Sequence, residues 1–219
     1  MTLGAPPEPP SDCGRCPRLV ALRERVRRDH PDHHAAPVPG FGPGDAALLI
    51  VGLAPGLHGA NASGRPFTGD GAGDLLYPAL HAHGFASAPC SRGPGDGLTL
   101  RDCRLTNAVR CLPPGNRPVA AEINQCNHFL AAEMRRPRVL LALGGLAHKA
   151  VIRALELRQA SHPFGHAAEH SLPGERVLLD SYHCSRYNTN TGRLTPAMFA
   201  AVFARARQLV DGQGLPADR

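Results

Sequence analysis

Lysine is almost missing from this 219-residue chain: Lys149 stands alone among 24 basic side chains, and the others are arginine. Any chemistry that needs a side-chain amine therefore rests on that one residue. Long apolar runs are missing too, and nothing approaches the roughly 20 residues of a membrane span. The Pro-rich start, Met1 to Asp12, lacks the basic-then-apolar order of a signal peptide. No internal repeat is visible. These absences predict a soluble, cytoplasmic protein. Cysteine is present but odd in number, seven in all, which argues against a disulfide framework. What remains is an apolar share of 42%, enough for one sizeable core. The net charge of +6 and pI near 9.2 favour an anionic partner, although many small enzymes share such a balance.

Residues 1–12 are expected to form a disordered tail, 13–211 a single domain and 212–219 a C-terminal tail. A short helix is predicted from about Pro17 to Arg28, followed by a His/Pro-rich loop to Pro43. Ala46–Gly52 (AALLIVG) is a continuous apolar run, as in a strand buried on both faces. Arg104–Val109, Val139–Leu143 and Arg176–Ser181 are the other strand candidates. Helices are predicted over Gly73–His83, Ala120–Arg135 and Leu146 to about Leu157. A last one opens at Pro196, with Thr195 as N-cap, and runs to about Val210. This alternation predicts an α/β domain around a four-stranded, mainly parallel sheet. Ligands of such sheets sit beyond the carboxyl ends of the strands. Leu53–Asp70, Arg110–Pro118, Gly144–Ala147 and Tyr182–Thr195 should therefore share one rim.

Cys13 and Cys16 form a CxxC near the N-terminus, and Cys111 and Cys126 a wider pair. Four thiolates can close a site for zinc or for an iron–sulfur cluster, and the spacing fits neither common signature. Cys90, Cys103 and Cys184 read as small packing residues. On the first rim loop, Gly52-Leu-Ala-Pro-Gly56 and Gly64-Arg-Pro-Phe-Thr-Gly-Asp70 allow a ligand to approach the backbone closely. Phe67 could stack on a planar ligand or plug the core; Asp70 could supply a carboxylate or cap the next helix. The last rim loop is polar and carries His183, Arg186, Tyr187, Asn188 and Arg193. Those residue types suit phosphate contact and wedging into a duplex.

The segments GLAPG, GRPFTGD, LTNAVRCLPPGNRP and YHCSRYNTNTGRLT, in this order and with four cysteines, resemble the uracil-DNA glycosylase superfamily, in particular its type b (family 5) branch. The resemblance spans Cys13 to about Leu209. It implies a three-layer α/β/α sandwich, a [4Fe-4S] cluster on Cys13, Cys16, Cys111 and Cys126 with a structural role, and DNA holding uracil or another deaminated base as partner. By matching position, Phe67 should stack on the extruded base and His183 should face the base oxygen that gains charge. Asp70 should stand near the reacting sugar. Gly52, Ala54, Asn107, Asn116 and Asn188 are the further base-binding candidates, and Arg186, Tyr187 and Arg193 the DNA-contacting ones. A family 4 member has Glu where Leu53 stands, and the best-known enzymes have a catalytic Asp where Ala54 stands. Asn107 occupies a place where several branches keep a base-reading asparagine and a type b relative has alanine.

The implied activity is hydrolytic excision of uracil, hypoxanthine and xanthine by a monomer, leaving an abasic site. Lys149 falls in the helix after Gly144-Gly145, away from the expected sugar, so no strand-nicking lyase activity is expected. Two rivals stand beside this reading. One is a uracil-DNA binding protein, non-catalytic or covalent. The other is an unrelated hydrolase using Cys184 beside His183, although adjacent strand residues face opposite sides.

Overall fold

Leu48–Gly52 (β1) is buried at every position, and its alternate side chains enter two different cores. That double burial explains the unbroken apolar run in the sequence. In this computed structural model residues 6–213 are described. The helices are α1 (Pro17–Asp29), α2 (Ala60–Ser63), α3 (Gly73–Ala82), α4 (Ala120–Glu133), α5 (Gly145–Ala154), α6 (Arg186–Asn190) and α7 (Pro196–Val210). The other strands are β2 (Cys103–Asn107), β3 (Val139–Leu143), β4 (Glu169–Leu172) and β5 (Arg176–Ser181).

The sheet has five strands in the order β2-β1-β3-β5-β4. Four are parallel, but β4 pairs antiparallel with β5, with Glu169 opposite Leu179. The expected four-stranded sheet is thus corrected to a mixed five-stranded one. β4 (EHSL) lies at the edge and buries only Leu172 fully, so no long apolar run announces it. Leu48 and Ile50 pack with Leu76 and Leu80 of α3 and with Phe199 and Phe203 of α7. Leu49 and Val51 pack with Leu130 of α4 and Val151 of α5. Helices therefore cover both faces of the sheet.

The helix starts follow local chemistry. Thr195 Oγ1 accepts from Met198 N at 3.2 Å, and Pro196 opens α7, as expected. At α4, Glu122 Oε2 accepts from Val119 N at 2.8 Å and also takes the Arg18 guanidinium of α1. No helix among the described residues is long and apolar enough to cross a membrane.

Within the described residues 6–12, Glu8 is held to the domain. Glu8 pairs with Arg104 at 2.6 Å and Arg110 at 3.2 Å. Those arginines also meet Glu133, which is inaccessible to solvent and takes a further hydrogen bond from Thr106 Oγ1 at 2.7 Å. A buried charge requires such compensation, and this requirement fixes residue 8 of the expected disordered segment. Residues 1–5 of that segment, and 214–219 of the expected C-terminal tail, lie outside the described residues.

Candidate active site

The carboxyl ends of the parallel strands open on a crevice. Its central cavity, of about 600 Å³, is lined by Leu53, Ala54, Asp70, Asn116, His183 and Arg186, among others. A neighbouring cavity of about 340 Å³ shares Asp70 and Arg186 and adds Phe67, Tyr77 and Cys90. A third, of about 260 Å³, shares Leu53 and His183 and adds Leu146, Phe164, Tyr182, Asn188 and Arg193. The four segments expected on one rim do meet there.

The floor is built around Gly52 at the end of β1. A methyl group there would collide with Asn107 Oδ1 and with Phe67 Cζ. Glycine is therefore what lets the amide from the end of β2 approach the aromatic ring from the next loop. Phe67 is 6% exposed and has φ of 55°, unusual for a bulky residue. Its loop is held on several sides. Tyr77 OH donates to Pro66 O at 2.8 Å, and Ser63 Oγ donates to Thr68 O at 3.0 Å. Arg65 pairs with Asp96 at 2.8 Å and stacks over the Phe41 ring. Backbone strain of this kind persists only where the surroundings over-determine it.

Asp70 Oδ1 accepts from Ala72 N at 3.0 Å, so the carboxylate closes the turn before α3 as well as lining two cavities. A methyl on Gly59 would collide with the same carboxyl group. His183 follows β5 by two residues. Burial lowers its pKa below the ordinary histidine value, a shift the Asp70 carboxylate partly opposes. The imidazole is therefore neutral at neutral pH, one nitrogen carrying hydrogen. Asn188 Nδ2 donates to the His183 carbonyl at 2.8 Å. That amide nitrogen thus steadies the loop, a role its place in a polar sequence did not reveal. Arg186 lies across Gly71 and 3.7 Å from the Asp74 carboxylate, exposed at the mouth. Tyr187 is 73% exposed, and Arg193 stacks over Tyr182 at 4.5 Å.

Cys184 points the other way, into the core, where burial pushes its thiol up to about 12. A His183–Cys184 dyad is not assembled. Lys149 is exposed on α5 and lines none of the three cavities.

The four-iron, four-sulfur expectation, and with it the metal role of the cysteines, is corrected. Among the described residues, the metal-competent atoms that lie within 4.8 Å of one another belong to His148, His170 and Asp180, and none is a cysteine. Cys13, Cys16, Cys111 and Cys126 do line one cavity, but it measures about 10 Å³, room for roughly one water. Cys16, Cys111 and Cys126 pack with Leu19, Val109 and Ile123, joining α1 to the rest of the domain. Burial pushes the Cys111 thiol up to about 12 and that of Cys16 to about 11, with neighbouring thiols adding to the shift. The His148 grouping was missed in the sequence because its members are scattered along it.

The sequence pattern of the Uracil DNA glycosylase superfamily matches residues 39–207. The chain belongs to that superfamily. A type-5 uracil-DNA glycosylase of Thermus thermophilus is 49% identical over 206 residues, covering 90% of this chain and 93% of the relative. One of Mycobacterium leprae is 45% identical over 210 residues, covering 91% and 92%. A type-4 uracil-DNA glycosylase of Archaeoglobus fulgidus is 33% identical over 152 residues, covering 67% and 69%. Within the superfamily, then, the long matches lie on the type-5 side, as the acid-free Leu53-Ala54 pair also suggests.

Proposed function

We propose that the protein flips uracil and other deaminated bases out of DNA and hydrolyses the bond between base and sugar, leaving an abasic site. The observation that carries this reading is the crevice itself. An aromatic ring and an amide meet over Gly52, while Asp70, Asn116 and His183 line one adjoining cavity.

A base within a duplex hides its glycosidic bond, so the nucleotide must leave the stack, at a cost of a few kcal/mol that is least at a mismatch. Stacking on Phe67 returns about 1–3 kcal/mol. Asn107, with Gly52 beside it, reads the base edge; Ala54 and Asn116 complete its surroundings. Bond cleavage leaves negative charge on the departing base and positive charge on the sugar. The neutral His183 imidazole donates a hydrogen bond to the developing anion, a contribution of roughly 3–4 kcal/mol for a preorganised donor. Asp70 faces the cationic sugar or orients the water, as carboxylates do in sugar hydrolysis. Arg186, Tyr187 and Arg193 contact the DNA around the mouth. The acid-free Leu53-Ala54 segment leaves a pocket less committed to uracil, so hypoxanthine and xanthine are further substrates.

The finer architecture we assign is a three-layer α/β/α sandwich forming a single domain over residues 13–211, working as a monomer. Lyase activity is not assigned, since the one side-chain amine lies outside the crevice. The test is to incubate the protein with duplexes holding one uracil, hypoxanthine, xanthine or normal base, then cleave abasic sites with alkali. Excision of uracil supports the reading. Tight binding of uracil DNA without excision would replace the enzyme with a binding protein.

A further inference from the structure

Asp180, next to last in β5, is wholly buried. Its Oδ1 accepts from His148 Nδ1 at 2.8 Å and its Oδ2 from His170 Nε2 at 3.2 Å. The other His148 nitrogen, Nε2, lies 2.8 Å from the His162 carbonyl. A carboxylate and a carbonyl only accept, so the geometry favours hydrogen on both His148 nitrogens, the imidazolium form. Burial alone would lower its pKa, but the Asp180 carboxylate and the His162 carbonyl outweigh burial and raise it. Although these side chains are close enough to share a metal, each His148 nitrogen already has its acceptor, and the pair needs no ion to balance it.

The pair sits beneath the crevice. His148 lies in the first turn of α5, and Asp180 comes three residues before His183. Between them, Gly144 N donates to Ser181 O at 2.8 Å. A methyl on Gly144 would lie 3.3 Å from His183 Cβ. The His148 ring also meets Phe164 edge-on, and Phe164 lines the third cavity with His183.

We propose that His148 and Asp180 are positioning residues for His183: their buried pair clamps the start of α5 to the end of β5 and so fixes the backbone from which His183 enters the crevice. This rests on the reading of His183 as the donor to the departing base. The charged and titratable groups around His148 are Asp180 of β5, His170 of β4, the ring of His162 beyond the turn Gln159–Ser161, which meets His170 edge-on, and Lys149 beside it on α5.

The test has two arms. In the intact protein, nitrogen NMR should find two ring hydrogens on His148 at neutral pH and one after the pH is raised. A neutral His148 at neutral pH overturns the proposal, as does zinc chloride shifting both His148 and His170 signals at one equivalent. In Asp180→Asn, the single-turnover rate on uracil duplex should fall by about 10- to 100-fold with DNA affinity unchanged. Its decline on the alkaline side should begin at lower pH than in the wild type, because the partner carboxylate is gone. A wild-type rate and pH profile in Asp180→Asn, with the rate lost in His183→Ala, overturns this inference alone. An unchanged rate in His183→Ala overturns the reading beneath it.

Discussion

The amide nitrogen of Asn188 donates to the carbonyl of His183 across 2.8 Å, tying α6 to the residue just past β5. One side of the His183 loop is thus held by α6 and the other by the Gly144 turn. Asn188→Asp keeps the shape but replaces the donor with an acceptor. Loss of one such bond is worth about 1 kcal/mol. We expect the single-turnover rate to fall by up to about 5-fold, with DNA affinity close to wild type, in a rapid-quench assay.

Gly52 has no room for a side chain. Gly52→Ala must displace the Phe67 ring or the Asn107 amide. Overpacking of this kind costs about 1–3 kcal/mol of stability, and displaced groups reduce the rate by on the order of 10²-fold. Denaturant unfolding and single-turnover kinetics on one sample should show both effects.

Glu133 is the hub of the interior charges, meeting Arg104, Thr106 and Arg110. Glu133→Ala leaves two buried guanidinium groups with only the partly exposed Glu8 carboxylate to balance them, a loss of roughly 3–5 kcal/mol. Urea unfolding should show this loss. Exposed pairs such as Arg186–Asp74 should change stability by under about 1 kcal/mol when broken.

His148 makes stability depend on pH in a definite direction. Its folded pKa is raised above the ordinary 6.5, so its stabilisation is complete below 6.5 and is lost as pH rises through the raised value. His183 and His166 have lowered values and act oppositely: folding makes them harder to protonate, so they cost stability as pH falls below 6.5. The stability difference between wild type and His148→Gln isolates the first effect. That difference should be largest below 6.5 and shrink above it, measured by urea melts across pH.

Much of this was legible in the sequence where burial is continuous. The strands β1 and β3 announce themselves because both their faces are covered, which leaves unbroken apolar runs, and β5 does so more briefly through Val177–Leu179. α7 was readable from Thr195-Pro196 alone. β4 was not, since EHSL is short and lies mostly at the surface. α6 was not either, because RYNTN has no apolar face and reads as loop. The site was half legible: the residues around Phe67, Asp70 and His183 stand in conspicuous loops at strand exits. The partners that hold them do not. Tyr77 supports the Phe67 loop from within a helix, and His148 meets Asp180 across 32 positions of sequence. Such long-range pairing leaves no local spacing to read. The cysteines illustrate the converse, a conspicuous pattern that the metal-competent grouping among the described residues does not take up.

The most direct test of the account is excision of uracil by the wild type, Asp70→Asn and His183→Ala, with and without alkali. The account predicts that the wild type releases uracil and breaks the strand only after alkali. His183→Ala should lose roughly 10²–10³-fold in rate, and Asp70→Asn should also be slowed. Wild-type excision rates in both variants, or strand breakage without alkali, would contradict it.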